Sequence, residues 1–103
     1  MKSILVSLVV LLSHTVFAAS ASVACIQHVY SDAGYNNVKA AQACSGGATV
    51  ECIKHVYSDA GYDNVKAAIA CGEASVECIK HIYSDAGYSN LKAAMACNGK
   101  PVN

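Results

Sequence analysis

Between Val50 and Ala60 the apolar residues recur at intervals of three and four positions. On a wheel of about 100° per residue, Val50, Cys52, Ile53, Val56, Tyr57 and Ala60 fill one half, while Glu51, Lys54, His55, Ser58 and Asp59 fill the other. That separation predicts an amphipathic helix. Thr49 stands in front of it with a side-chain oxygen able to accept from the first free amides, and Gly61 follows it as the residue best able to take the left-handed turn that ends a helix. Two residues later Asp63 repeats the capping chemistry ahead of Asn64-Val65-Lys66-Ala67-Ala68, which predicts a second, shorter helix ending near Cys71. Its Val65, Ala68 and Cys71 are placed to face the first helix, small Ala side chains allowing close approach. The unit is an αα-hairpin.

The same pattern appears twice more. Cys25, Cys52 and Cys78 mark equivalent positions, shifted by 27 and then 26 residues, and Val23 to Tyr35 and Val76 to Tyr88 match Val50 to Tyr62 almost residue for residue. Ser22 and Ser75 replace Thr49 as caps, Asn36 and Ser89 replace Asp63, and Gly34 and Gly87 replace Gly61. Internal periods of about 20 to 50 residues signal arrays in which each unit buries its apolar face against a neighbour. The expected fold is all-α, with three tandem hairpins stacked into a small solenoid. Residues 22–103 form its single domain, with repeats at 22–46, 49–72 and 75–99. The period is shorter than the roughly 33 or 34 residues of ankyrin and tetratricopeptide units, and neither signature is present.

Ahead of the repeats, Met1-Lys2 is followed by an apolar run from Ile4 to Leu12 and then by small residues at Ala18, Ala19 and Ala21. This reads as a secretory signal peptide covering residues 1–18, with cleavage after Ala21 as the alternative. Ser13-His14-Thr15 interrupts the run before the about 20 apolar residues that a membrane span needs. The expected destination is secreted or periplasmic.

That destination changes the meaning of six Cys in 103 residues. Each copy has one Cys in the first turn of its first helix and one at the end of its second, always at the same spacing. In an antiparallel pair, helix segments of about 10 to 12 Å bring the two sulfurs to similar height. Disulfides Cys25–Cys44, Cys52–Cys71 and Cys78–Cys97 are therefore expected, each contributing about 3 kcal/mol by restricting the unfolded chain. A rival pattern pairs Cys44 with Cys52, Cys71 with Cys78 and Cys25 with Cys97, but leaves no repeat closed on itself. Small secreted domains with modest cores depend on such bridges.

Charge narrows the partner class. Seven Lys and no Arg balance seven acids, and the signs are interspersed, so a nucleic-acid surface is not expected. Stable membrane insertion is not expected either. A small membrane-active peptide, the alternative of different class, would need an exposed apolar face ringed by more Lys than Lys54, Lys66 and Lys80 supply.

The residues with chemistry recur with the repeat. His28, His55 and His81 lie on the polar half of the first helices, with Asp32, Asp59 and Asp85 one turn on. Cys-x2-His with Asp four positions later is the basis of a zinc alternative, in which Cys, His and Asp would supply tetrahedral sites. Against it, the thiol borders the apolar half while the imidazole points to the polar one. An acid at the negative end of a helix dipole calls for a partner, either the free amides opening the second helix, the nearby His, or a ligand on the exposed ridge. No cofactor is implied. No nucleophile elbow is present and the calcium-loop ligand pattern is missing, so the chain is not expected to be an enzyme. Tyr30, Tyr57 and Tyr83 belong to the apolar half, while Tyr35, Tyr62 and Tyr88 either staple the turn or stand at its rim. The functional expectation is a non-catalytic binding or scaffold protein. Its partner, a protein or polysaccharide, would be repetitive and contacted along a ridge of His28, Asp32, His55, Asp59, His81 and Asp85, with capture depending on histidine protonation.

Overall fold

The computed structural model describes residues 21–100. The signal-peptide reading of residues 1–18 lies outside them. Among these residues six α-helices alternate in three pairs: α1 (Val23–Val29) with α2 (Asn37–Cys44), α3 (Val50–Val56) with α4 (Asn64–Cys71), and α5 (Val76–Ile82) with α6 (Asn90–Cys97). There is no strand among the described residues.

Each of these six helices starts on a side-chain cap. Ser22 Oγ, Thr49 Oγ1 and Ser75 Oγ accept from the backbone N–H of Cys25, Cys52 and Cys78 at 3.0 to 3.1 Å, which satisfies a donor that has no partner inside the helix. Asn36 Oδ1 and Asp63 Oδ1 each accept from two amides, and Ser89 Oγ accepts from Lys92 N–H. The capping residues named from sequence fill their positions.

The first helices are shorter than the apolar pattern suggests. Regular α-helix stops at Val29, Val56 and Ile82, and the last turn tightens, becoming a short 3₁₀ segment at Ser84–Ala86 in the third repeat. The cause is the way the chain turns. Gly61 N–H donates to the Ser58 carbonyl and Tyr62 N–H reaches back to the Tyr57 carbonyl, a paired closure that pulls the final turn inward. Gly34, Gly61 and Gly87 hold the left-handed conformation, at φ of 76 to 78°. Tyr35, Tyr62 and Tyr88 adopt it as well, at φ of 59 to 60°, a conformation that costs a residue with a Cβ of order 1 kcal/mol or more.

All three expected disulfides are present, with Cα–Cα distances of 6.0 to 6.2 Å. Each joins the first turn of one helix to the last residue of its partner and so closes the open end of the hairpin. They suit an oxidising compartment. Among the described residues no helix is long and apolar enough to cross a membrane.

The core is continuous through the stack. Val29, Ile53, Val56 and Ile79 are its largest buried aliphatics, and Ala40, Ala67 and Ala93, fully buried in all three copies, let the two helices of a hairpin approach closely. Comparing copies separates contacts within a repeat from contacts between repeats. Val38 is 67 % exposed, whereas its equivalents Val65 and Leu91 are partly buried against the core. Val65 therefore gains its burial from the preceding hairpin, which repeat one lacks, and not from its own first helix as its wheel position suggests. Accordingly α4 packs on both α1 and α2, and α6 on both α3 and α4.

Candidate functional site

The aspartates of the first helices show what holds one repeat to the next. Asp32 Oδ2 accepts from the backbone N–H of Asn64 at 2.8 Å, and Asp59 Oδ2 accepts from that of Asn90 at 2.6 Å. Asn64 and Asn90 open the second helix of the following repeat, where amides are unsatisfied and the helix dipole is positive, so a carboxylate is stabilised there. The chemistry is that of the first option the sequence offers, amides opening a second helix. The helix engaged is one repeat further along, and two of the six ridge residues thereby serve as staples between repeats. Asp85, in the last repeat, is exposed and has no following helix among the described residues.

The imidazoles follow the same logic. His28 and His55 are half-buried because the next hairpin leans over them, whereas His81 is exposed. Each half-buried imidazole lines a small recess together with residues of the next repeat. His28 shares one of about 230 Å³ with Lys54, Tyr57 and Asn64. His55 shares one of about 190 Å³ with Lys80, Tyr83 and Asn90. These are the same four positions, one repeat apart. Each recess offers an imidazole, an ammonium, a phenol and a carboxamide, a set rich in hydrogen-bond donors and bordered by an aromatic face.

The tyrosines extend this edge. Tyr57 and Tyr62 meet edge to face with ring centroids 5.4 Å apart, and Tyr30–Tyr35 and Tyr83–Tyr88 do the same at 5.5 Å. Such pairs contribute about 0.5 to 1.5 kcal/mol beyond area burial, enough to offset much of the backbone cost at the second Tyr of each pair. The outer rings of Tyr35, Tyr62 and Tyr88 nevertheless remain 67 to 71 % exposed. They staple the turn and stand at the rim at once. The only sequence signal for this is the recurrence of Asp-Ala-Gly-Tyr in all three copies, which marks the turn without showing that its Tyr is left-handed.

The thiolates that the zinc alternative requires are bonded to one another in the three disulfides. Among the described residues no group of three or more His, Cys, Asp or Glu side chains is gathered to hold a metal ion. Further recesses flank Lys66, Ile69, Leu91 and Met95 on the outer side of α4 and α6, and open at the two ends of the stack. The chain matches no family model, no curated protein sequence and no solved structure.

Proposed function

We propose that this chain is an exported, non-catalytic binding module that holds a repetitive polymer, best a polysaccharide, along the edge carrying His28 and His55. The observation that carries the reading is the duplication of one recess: His28, Lys54, Tyr57 and Asn64 are matched in kind and order by His55, Lys80, Tyr83 and Asn90. An active site usually converges from unlike positions, whereas two like recesses in register suit a ligand that repeats itself. Helices packed side by side lie about 8 to 10 Å apart, which sets the spacing of the polymer unit that fits. Exposed tyrosine rings beside polar donors offer a sugar both an apolar face and hydrogen bonds. The three disulfides and the leader-like N-terminus favour a secreted or periplasmic location.

Binding to an array of immobilised oligosaccharides in graded lengths tests this. Fragments long enough to span both recesses should bind at least about tenfold more tightly than single-unit fragments, because the second contact becomes intramolecular. Replacing His28 and His55 together by Gln should remove that gain while leaving the melting temperature unchanged. Binding that ignores length and survives both substitutions would overturn this reading.

A further inference from the structure

The two interfaces between repeats are one interface used twice. Asp32 of repeat one accepts from the Asn64 amide of repeat two, and Asp59 of repeat two from the Asn90 amide of repeat three, while α1 packs on α4 and α3 on α6 within one continuous apolar core that includes Val29, Ala33, Val56 and Ala60. Each contact combines a small apolar patch with a carboxylate on the amide that opens a helix. Among the described residues, both halves of this contact are left over at the ends of the stack.

At the trailing end, Ile82, Asp85, Ala86 and Ala96 border an open recess of about 410 Å³. The apolar equivalents in the middle repeat, Val56, Ala60 and Ala70, are nearly or fully buried, whereas Ile82 and Ala86 are half-exposed and Ala96 is exposed. At the leading end, Asn37, Val38 and Ala41 line a recess of about 460 Å³, and Val38 is the exposed counterpart of Val65 and Leu91. Repeat arrays that work as monomers replace such apolar positions with polar ones in their terminal units. Among the described residues, the outward faces of repeats one and three keep them apolar. The chain also keeps Asp85, which at the C-terminal end of its helix meets an unfavourable dipole and, within the described residues, has no amide to cap in return.

We propose that the mature chain stacks head to tail on a second copy of itself, the trailing face of one molecule seating the leading face of the next. Asp85 then accepts from the Asn37 N–H of the second copy, as Asp32 does from Asn64 and Asp59 from Asn90, and Val38 enters the patch around Ile82, Ala86 and Ala96. The contact is heterologous, since it joins two different surfaces, and so it propagates into an open filament rather than stopping at a symmetric dimer. The recesses of the outer edge continue across each junction, with His81 facing Gln27, Tyr30 and Asn37 of the next copy. Gln27 holds the position that Lys54 and Lys80 hold in the two internal recesses, so the junction recess keeps its donors but loses the ammonium charge.

Sedimentation of the exported, leader-free protein over rising concentration tests the proposal. Wild type should grow continuously past twice the monomer mass. Val38→Asp blocks the leading face and Ala96→Glu the trailing face, and because both positions are exposed in the single molecule, each variant should melt like wild type and sediment as a monomer. Mixing the two variants in equal amounts restores one intact junction, so the mixture should reach twice the monomer mass and stop there. A wild type that remains monomeric up to millimolar concentration overturns the proposal. So does self-association by either variant alone, which would indicate a symmetric contact, or a mixture that stays monomeric.

Discussion

Repeats two and three differ between their paired cysteines only at Val56/Ile82, Asp63/Ser89, Val65/Leu91 and Ile69/Met95, yet the same positions occupy different surroundings. Cys52 and Cys71 are fully buried, whereas Cys78 and Cys97 are half-exposed. Val56 is sealed, and the larger Ile82 is not. Much of what makes a residue core in this protein is therefore supplied by the next hairpin. A repeat completes only the contacts between its own two helices, such as those of Ala67 and Ala93, and depends on its neighbour for the rest.

The largest test of that difference removes equivalent disulfides. Cys78→Ala with Cys97→Ala should cost about 3 kcal/mol, the value expected for restricting a loop of this size. Cys52→Ala with Cys71→Ala opens a loop of the same length but also empties a fully packed site, so its cost should approach about 5 kcal/mol. Thermal melts of the two double variants measure the gap, and coincident curves would show that the burial of the middle bridge contributes nothing. Titration with reductant should likewise open Cys78–Cys97 before the other two, with peptide mapping as the readout.

A smaller effect is expected from a single charge. Ala70→Glu places a carboxylate where the third repeat covers the second, and should cost about 3 kcal/mol, whereas Ala96→Glu, at the exposed equivalent, should change stability by less than about 0.5 kcal/mol in dilute protein. Equal denaturation midpoints would mean that the junction between repeats two and three is not packed as described.

The staples sharpen the comparison further. Asp59→Ala should cost about 1 kcal/mol, because the Asn90 amide loses its acceptor, while Asp85→Ala should be neutral in dilute protein. Hydrogen exchange at the start of α6 gives a local reading of the same change, and unaltered protection there in Asp59→Ala would remove Asp59 from the junction.

What can be read from the sequence is whatever depends on near neighbours. Ser22, Thr49 and Ser75 cap their own first turns, so their role is written within four residues. The bridges are legible for a different reason: three copies with one spacing make pairing within each repeat the only pattern that closes every unit alike. The direction of stacking is not legible. A helical wheel shows that Val65 is on an apolar face, but not that the face belongs to the preceding hairpin, and it puts Asp32 and Asp59 on a polar ridge without the distant amides that engage them. The left-handed tyrosines are hidden for a similar reason, since their backbone cost is offset by a ring five residues back.

The placement of the disulfides has a mechanical consequence. A pull applied to the two ends of the stack enters at Cys25, crosses to Cys44, runs through residues 45–51 to Cys52, crosses to Cys71, and continues through residues 72–77 to Cys78 and Cys97. The load path bypasses every turn between paired helices, and the stretch from each first Cys to its partner bears no tension. Only the short links between bridges can lengthen, each by no more than about 3.5 Å per residue. The protein is in effect a chain of three locked rings, with covalent bonds as its rigging and noncovalent packing left to set its shape.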